Sequence, residues 1–340
     1  MSLTMRKDSP PRLEDVATLA GVSAATVSRF LNSPDRVSGA KADRIESAIN
    51  ATGYVPNSIG RALASHQTNI IGALIPTLSN AMFASGLQAF QETLAAENLA
   101  LILATTNYDR DEEARQVRNL VSQGASSLLL IGKARHPDTI KFLNKRDVPY
   151  VLSWCFDRND DAVYVGFDNF AAAQNAARQV LALGHKKIGL ICGHSENNDR
   201  AYERKEGYSF EIKSQKAQLT ACVETEYGLE KGRIAFQQLY AQAPETTAIL
   251  CGNDVLAAGA MMAAREQGIS VPKDISIVGF DDIGLASILS PGLTTVRVPQ
   301  LQMGRIAAET LISKRRGKVG VNSIELNTEF VLRGTLASSC

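Results

Sequence analysis

The sequence has few cysteines and no long apolar run. Its five cysteines are odd in number, widely spaced and never arranged as C-x-x-C, which argues against a secreted disulfide framework and a structural zinc site. No apolar stretch reaches the roughly 18 residues of a membrane span, and the polar segment 1–12 lacks the apolar core of a signal peptide. We therefore expect a cytoplasmic protein that does not enter a membrane.

The sequence also lacks a charge excess. Its 36 basic and 35 acidic residues leave a net charge of +1, so the total charge does not point to nucleic acid or to a membrane surface. Residues 1–66 carry eight basic and six acidic side chains (+2), whereas the remainder carries 28 and 29 (−1). This asymmetry has the right sign for DNA but is small, so a symmetric pair of chains would be needed for tight binding.

Signatures of catalysis are missing as well. The sequence contains no Walker A loop, no G-x-S-x-G elbow and no H-E-x-x-H, and its four histidines show no metal-ligand spacing. Asp281 and Asp282 are adjacent in a predicted turn and point apart, which does not suit a general acid–base pair. We expect no catalytic site, no metal and no cofactor.

From about Asn69 onward, short apolar runs alternate with helical segments, as in βαβ units that form parallel sheets. The length of 340 residues predicts two or three domains, and we divide this region into two similar doubly wound halves near Asp168, with a cleft between them. The predicted strands are Ile70–Ile75, Leu99–Thr105, Ser127–Ile131, Pro149–Ser153, Ile188–Cys192, Ala248–Cys251 and Ser276–Phe280. The predicted helices are Ala81–Ala96, Asp111–Gln123, Asn169–Leu183, Asp254–Gln267 and Leu301–Arg315.

The first 66 residues predict a different architecture, with three short helices and no strand. Apolar residues from Leu13 to Ala20 follow helical spacing, Gly21 interrupts it, and the spacing resumes at Val27. Ser23 is placed to cap the second helix and Ser38 the third. A helix, a tight turn and a second helix can lay the second helix in the major groove of DNA. A small helical bundle without DNA-binding function is the alternative interpretation.

Several motifs resemble the LacI/GalR family of bacterial transcriptional regulators. The run LEDVATLAGVSAATVSRFLN, from Leu13 to Asn32, carries most of this resemblance, and GYVPN at 53–57 follows it. The resemblance continues to about Gly334 through GHKKIG at 184–189, NDVLAAGA at 253–260, VGFDD at 278–282 and LTTV at 293–296. It implies a DNA-binding domain at 11–56, a hinge helix and linker at 57–68, and an effector-binding and dimerisation domain at 69–335. In the last, the N-subdomain comprises about 69–167 plus 299–325, and the C-subdomain about 168–298 plus 326–335.

The resemblance implies a set of DNA contacts. The second helix would read the major groove, and the hinge helix would lie in the minor groove, where Leu63 would wedge a base step open. Because the methyl groups of Ala24 and Ala25 cannot form hydrogen bonds, specificity would rest more on Arg29 and on DNA shape. An ordinary flexible linker is the alternative for 65–68. The implied DNA-binding residues are Ala24, Ala25, Thr26, Ser28, Arg29, Ser38, Asn57 and Leu63.

The resemblance also implies an effector site of periplasmic-binding-protein type in the cleft. Its matched residues offer carboxylate and amide acceptors for sugar hydroxyls, aromatic rings that stack on a sugar, and one arginine. Alternatives remain for three of them: Phe83 as helix core, Asp281 as a turn cap and Arg204 as a surface ion pair. The implied residues are Met82, Phe83, Asp168, Arg204, Tyr227, Asn253 and Asp281.

Taken together, these residues predict a homodimeric regulator, most simply a repressor. It would bind pseudo-palindromic double-stranded operator DNA and respond to a sugar or a sugar acid. The segments around Phe83 and Asp168 look most similar to the gluconate-utilisation repressors, which suggests a gluconate-like effector. Two alternatives are a sugar-binding protein of a transport system and an α/β enzyme with a helical appendage; the first lacks an export signal and the second a catalytic constellation.

Overall fold

A computed structural model of the chain describes residues 10–55, 68–79 and 81–339. Contacts divide the chain into two units, Met1–Thr68 and Asn69–Cys340. Hinge residues Asn57 and Leu63 lie outside the described residues. Within the described ranges, no helix is both long and apolar enough to span a bilayer.

The first unit contains three α-helices in its described part: α1 (Leu13–Ala20), α2 (Ala24–Asn32) and α3 (Gly39–Thr52). A short 3-10 turn, Pro34–Arg36, connects α2 to α3. The predicted apolar positions meet in one small core formed by Val16, Ala17, Ala20, Val27, Ile45 and Ala48. Helical periodicity therefore predicted these helices and their core correctly.

The second unit begins with a six-stranded parallel sheet in the order β11-β5-β4-β3-β1-β2. Its strands are β1 (Ile70–Ile75), β2 (Ala100–Thr105), β3 (Ala125–Ile131), β4 (Tyr150–Ser153), β5 (Tyr164–Gly166) and β11 (Ile324–Glu325). The helices along this part of the chain are α4 (Ala84–Ala96), α5 (Arg110–Ser122) and α6 (Pro137–Lys145).

A second parallel sheet, in the order β7-β6-β8-β9, follows in the chain. Its strands are β6 (Lys187–Gly193), β7 (Gln218–Thr225), β8 (Ala248–Cys251) and β9 (Ser276–Val278). The helices of this part are α7 (Asn169–Ala182), α8 (Asp199–Ser214), α9 (Leu229–Gln242), α10 (Asp254–Glu266) and α11 (Gly284–Ile288). The predicted architecture of two doubly wound parallel sheets is confirmed.

The chain returns to the first sheet after the second one is complete. Helix α12 (Gln300–Arg315) packs closely on α4: a Cβ atom on Gly304 would lie 1.9 Å from the carbonyl oxygen of Gly86. Strand β11 then joins the first sheet, whereas β10 (Thr295–Arg297) and β12 (Glu329–Val331) form a separate antiparallel pair. The two halves are therefore connected by three chain segments rather than one.

Several elements differ from the predictions. Strands β5, β7, β10, β11 and β12 and helices α6, α8, α9 and α11 were not predicted, because they are short or too polar to show an apolar pattern. Ser38 occupies the N-cap position of α3 as predicted. Its side chain makes no capping hydrogen bond, so the predicted cap by the Ser38 hydroxyl is wrong. Ser23 caps α2 as predicted, because its Oγ accepts from the Thr26 amide at 3.2 Å.

Candidate functional site

Helix α2 is held by the turn that precedes it. Gly21 ends α1 in the left-handed region at φ +64°, which glycine adopts without steric cost, and the Val22 amide donates back to the Ala17 carbonyl at 3.0 Å. Val27 faces inward and is fully buried, so it belongs to the framework. These contacts fix which side of α2 is presented to a partner.

The outward side of α2 carries the residues predicted to meet DNA. Ala25 and Arg29 are exposed, whereas Ala24, Thr26 and Ser28 are partly buried. The Thr26 hydroxyl lies 2.8 Å from the Ser23 hydroxyl, so it forms part of the cap of α2. Ser38 is exposed at the start of α3. One exposed guanidinium and an exposed hydroxyl at a helix start offer hydrogen bonds to a nucleic acid.

In the second unit, both parallel sheets direct loops from their carboxyl ends into one cleft. A cavity of about 680 Å³ lies there. The first sheet contributes loops after β1 and β2, and the second contributes loops after β6, β7 and β8, as expected for open α/β sheets. The lining includes Thr77, Ser79, Asn107, Tyr108, His194, Glu196, Asn197, Asn198, Thr225, Glu226, Tyr227 and Val255. Of the predicted effector residues, only Tyr227 lines this cavity.

Arg204 lies in the interior of the second unit and is only 1% exposed, so the surface ion pair is wrong. Its Nε donates to Asn169 Oδ1 at 2.9 Å, and its Nη1 donates to the Gly252 carbonyl at 2.7 Å. The guanidinium stacks on the Phe280 ring, 4.0 Å from its centroid, and its Nη2 lies 3.6 Å from Asp281 Oδ1. Protein groups therefore fix the arginine and leave one end directed at a carboxylate.

Three polar atoms of this buried group lack a hydrogen-bond partner among the described residues: Arg204 Nη2, Asn253 Nδ2 and Asp281 Oδ1. Asn253 caps α10 through its other side-chain atom, Oδ1, which accepts from the Leu256 amide at 2.8 Å. Buried polar groups are nearly always satisfied, so such atoms call for a missing partner. One donor on the arginine, one on the amide and one carboxylate acceptor suit a ligand with several hydroxyl groups.

The backbone and the electrostatics of Asp281 are both unusual. Its φ of +112° lies in a region that L-residues rarely adopt and that is typically retained where function requires it. Burial raises the pKa of its carboxyl to about 7, although Arg204 and Arg200 lower it. The side chain makes no capping contact within the turn, so the alternative of a turn cap is not what the structure has.

Two tyrosines from opposite sides of the cleft approach each other at the cavity. The rings of Tyr108, which follows β2, and Tyr227, which follows β7, have centroids 6.2 Å apart. Burial raises the pKa of Tyr227, whereas the positive charges of Arg204 and Arg200 lower it by less. Tyr227 thus lines the open cavity and also lies close enough to the buried Arg204 to be affected by its charge. Tyr108 was not predicted, because a single tyrosine in a loop carries no periodic signal.

Met82 and Phe83 are buried in a 3-10 turn, Ala81–Phe83, before α4. The Phe83 ring packs edge-on against Trp154, with ring centroids 5.6 Å apart. Trp154 is fully buried, and its Nε1 has no hydrogen-bond partner among the described residues. Its carbonyl accepts from Asn169, the residue that also holds Arg204. Phe83 is therefore a core residue, which agrees with the alternative interpretation given for it. This part of the core adjoins the buried polar group through Trp154 and Asn169.

Asp168 lies apart from the arginine group. Its carboxylate caps α7 by accepting from the Ala171 amide at 2.9 Å, and it lies 3.5 Å from the Arg158 guanidinium. Arg158 in turn binds Glu325 at 2.6 Å. No contact of Asp168 with Arg204, Asn253 or Asp281 appears among the hydrogen bonds and ion pairs of the described residues. The structure therefore brings Arg204, Asn253 and Asp281 together and leaves Asp168 at the start of α7.

Sequence reasoning missed a charged connection between the two halves of the second unit. Lys133, which follows β3, donates from Nζ to Asp157 at 2.8 Å and lies 2.9 Å from Glu203 of α8. The Lys133 amide also donates to Asp199 Oδ2 at 2.8 Å. Burial lowers the pKa of Lys133, but its hydrogen bonds to the two carboxylates outweigh this and raise it. The connection joins residues distant in sequence, and no motif marks it.

The acidic pair Asp281–Asp282 does not form a catalytic dyad. Asp281 faces inward to Arg204, whereas the Asp282 carboxylate binds Arg297 at 2.7 Å and Arg333 at 2.6 Å. The two side chains point apart, as predicted. Across 10–55, 68–79 and 81–339, no group of three or more His, Cys, Asp or Glu side chains is placed to hold a metal ion.

Comparison with protein families gives two matches, one in each of the two units. Residues 12–57 match the family model described as bacterial regulatory proteins, lacI family, and residues 177–336 match a periplasmic binding protein-like domain. The HTH-type transcriptional repressor CytR of Escherichia coli (strain K12) is 30% identical over 334 residues, which cover 97% of each chain. The HTH-type transcriptional regulator GntR of the same organism is 30% identical, with 92% of this chain and 94% of that protein covered.

Solved structures share the whole architecture. A LacI-family transcriptional regulator from Silicibacter pomeroyi superposes with a TM-score of 0.88 at 28% identity, over 96% of this chain and all of that one. The lac repressor dimer bound to operator and an anti-inducer superposes with a TM-score of 0.86 at 26% identity, over 97% of this chain and all of that one. The similarity therefore includes the DNA-binding region and both sheets.

Proposed function

Since the chain belongs to the LacI family of bacterial regulatory proteins, we propose that it is a transcriptional repressor whose affinity for operator DNA depends on a small effector in the cleft. Its relatives are transcriptional regulators, so it is not an enzyme. The same similarity, which spans the DNA-binding region, disfavours a binding protein of a transport system. We infer that it works in the cytoplasm, and the similarity to DNA-binding regulators along the full length supports this.

The DNA-binding half of the proposal rests on α2 and the start of α3. Arg29, exposed on α2, can form paired hydrogen bonds with guanine or reach a phosphate. Ala24 and Ala25 would meet base edges or methyl groups, Thr26 and Ser28 would contact phosphates, and the uncapped hydroxyl of Ser38 would bind another phosphate. Because one copy carries little net charge, a homodimer on a pseudo-palindromic operator supplies the second half-site.

The hinge segment, 57–68, would complete this interface. In this proposal Asn57 begins a short helix and Leu63 enters a minor-groove step, which bends the DNA. Replacing Leu63 by Ala should weaken operator binding and leave effector affinity nearly unchanged. A gel shift with intact operator affinity for Leu63→Ala would contradict the wedge.

The effector half of the proposal is carried by one observation: three buried polar atoms, on Arg204, Asn253 and Asp281, lack a hydrogen-bond partner among the described residues. Hydroxyl groups of a sugar or sugar acid would supply the missing hydrogen-bond partners. The ring of Tyr227 would cover one face of the sugar ring. Met82 and Phe83 would shape the apolar wall, and Asp168 would support the site from α7. One relative is the ribose operon repressor of Haemophilus influenzae, and a structural neighbour is a CelR–cellobiose complex at 26% identity.

A thermal-shift screen with neutral sugars, sugar acids such as gluconate and sugar phosphates tests this proposal. A ligand that binds only the folded chain raises the unfolding temperature whether it induces or corepresses. The expected result is a shift with a subset of sugars that Asp281→Asn abolishes and the exposed control Lys141→Met retains. An unchanged shift in Asp281→Asn would reject the site. If the chain binds its operator specifically in a gel shift and no sugar changes that affinity, the proposed regulation by a sugar effector would be wrong.

The domain organisation follows from the same proposal. Residues 11–56 bind DNA, 57–68 form the hinge, and 69–335 bind effector and dimerise. Binding between the two halves, about 69–167 plus 299–325 and about 168–298 plus 326–335, would change their angle and thereby the pairing of two hinge segments. Such coupling is reciprocal and typically about 1–3 kcal/mol.

A further inference from the structure

Two cysteines lie side by side on neighbouring strands of the second sheet. Cys192 is buried near the end of β6, and Cys222 is exposed on β7, which forms the edge of that sheet. In the register of these strands Leu190 pairs with Cys222 and Cys192 pairs with Glu224. The two cysteines therefore project from the same face as diagonal neighbours. The two thiols influence each other's ionisation, since their proximity raises the pKa of Cys192 and lowers that of Cys222.

The surroundings of Cys222 favour its thiolate. The neighbouring Cys192 thiol lowers the pKa of Cys222, and the positive charge of Lys205 acts in the same direction, against partial burial and Glu224. Lys205 is held on this side of the sheet by its bond to Glu224 at 2.9 Å. An accessible, low-pKa thiol next to a second thiol is the arrangement that redox-sensing cysteines share.

The other two described cysteines differ from the exposed Cys222, since they are buried as Cys192 is. Cys155 and Cys251 are buried, and burial raises the pKa of both thiols. A buried thiol that stays protonated is a poor nucleophile and reacts slowly with oxidants. Reactivity should therefore concentrate at Cys222, and the buried pair provides internal controls.

The cysteine pair lies directly beneath the cleft. Gly193 follows Cys192, and a Cβ atom there would lie 2.3 Å from Cζ of the Tyr227 ring. Strand β7, which carries Cys222, ends at Thr225, two residues before Tyr227. The two strands that carry the thiols thus both lead to the same ring at the cavity. A covalent bond between the strands would move the ends that position Tyr227.

We propose that Cys222 and Cys192 form a reversible disulfide in response to a hydroperoxide, and that this bond alters the cleft at Tyr227. The Cys222 thiolate attacks one peroxide oxygen, so that an S–O bond forms, the O–O bond breaks, and the leaving oxygen takes a proton. The Cys192 sulfur then attacks the Cys222 sulfenic acid, the S–S bond forms, and water leaves with the Cys192 proton. Both sulfurs are oxidised, and one hydrogen peroxide is reduced to two waters. As an edge strand with one free side, β7 can move to bring the two sulfurs into bonding distance.

The chemistry is tested on the full chain carrying Cys340→Ser, a background that leaves the four described cysteines. Hydrogen peroxide should lower the intact mass by two hydrogen atoms, peptide mapping should find the 192–222 link, and dithiothreitol should reverse it. Cys222→Ser should abolish the link. Cys192→Ser lacks the resolving thiol and should instead accumulate a dimedone-reactive sulfenic acid at Cys222. Equal labelling of Cys155, Cys222 and Cys251, or no link in the Cys340→Ser background, would overturn the proposal.

The effect on the cleft is read by hydrogen exchange, which needs no ligand. Peroxide should change amide exchange across 219–228 in the Cys340→Ser background, dithiothreitol should restore it, and Cys222→Ser should show neither change. Unaltered exchange despite a mapped disulfide would overturn the coupling to Tyr227. Any consequence for effector binding rests on the proposed function. A disulfide that forms in a chain unresponsive to every sugar would therefore leave this site standing and count against the proposed function alone.

Discussion

Arginine has opposite surroundings in the two units of this chain. Arg29 lies exposed on α2, whereas Arg204 is 1% exposed, stacked on Phe280 and hydrogen-bonded to Asn169 and Gly252. An exposed guanidinium contributes little to folding and is free to bind a partner. A buried one is part of the fold, because its removal leaves Asp281 without its counter-charge. DNA binding and effector response therefore place different demands on the same residue type.

The largest effect should come from Arg204→Met. At pH 8, where Asp281 with its pKa of about 7 is ionised, loss of one partner of a buried ion pair typically costs about 3–5 kcal/mol, since it leaves an uncompensated charge. Urea unfolding should therefore show a strongly destabilised second unit. The matched variant Arg204→Met with Asp281→Asn should recover part of the loss. A single variant as stable as the parent would break the comparison.

Arg29→Ala should leave the free energy of unfolding within about 0.5 kcal/mol of the parent, as for other exposed positions. Specific operator affinity should fall by about 1–3 kcal/mol, the range for one base contact, while a salt-sensitive residual binding remains. Gel shifts on operator DNA measure the specific affinity, and gel shifts on scrambled DNA measure the residual salt-sensitive binding. Arg146→Ala, exposed at the end of α6, is the control and should bind like the parent.

The pH dependence of effector binding should sharpen the contrast further. Burial raises the pKa of Asp281 to about 7, so the folded chain keeps a proton that an unfolded Asp, with a pKa of about 3.9, releases. This proton stabilises the ligand-free fold at low pH, and that contribution is lost as pH rises toward 7. Ligand hydroxyls that donate to Asp281 need its ionised form, so affinity should rise from pH 6 to 8, by at most about tenfold per pH unit. Calorimetry of the parent chain across this pH range should show the rise; an affinity that stays constant from pH 6 to 8 would show that ionisation of Asp281 does not govern binding.

The smallest effect should follow from Lys133→Met, which breaks the charged connection between the two halves of the second unit. Because the lysine is partly exposed, the loss of stability should be about 0.2–1 kcal/mol. Effector affinity should nevertheless change, since Glu203 would no longer be held to the first half. Lys141→Met removes an ion pair within one helix and should change neither quantity. Equal effects of the two variants would show that the connection does not influence the cleft.

Some of this fold could be predicted, and the failures share a physical cause. Strands β1, β3, β4, β6 and β8 were located because they are buried on both faces and read as apolar runs. Helix α8 was missed because its inward face carries the buried charged residues Arg200, Arg204 and Glu211, of which Arg204 and Glu211 bind other segments. An apolar pattern cannot reveal a helix that buries charges, since the partners that make this favourable lie elsewhere in the chain.

The candidate site divides in the same way. Motif similarity pointed to Arg204, Asn253, Asp281 and Tyr227. In the structure Arg204 lies 3.6 Å from Asp281. Each of Arg204, Asn253 and Asp281 has one buried polar atom without a hydrogen-bond partner among the described residues. Trp154, Tyr108 and Lys133 were not found from the sequence. Each acts through a neighbour more than 60 residues away in the chain, such as Phe83 beside Trp154. Single residues in loops carry no periodicity from which such contacts could be inferred.

The three helices of the first unit and the two parallel sheets after them could be predicted from the amino-acid pattern alone, because local spacing and burial on both faces leave their mark in composition. Only the tertiary structure decided that Arg204 is buried against Asp281, that Asp168 stands apart at the start of α7, and that Cys192 and Cys222 are neighbours. These outcomes depend on register and on segments that meet from distant parts of the chain. Charge and reactivity follow from such meetings, so they belong to the fold rather than to any one stretch of sequence.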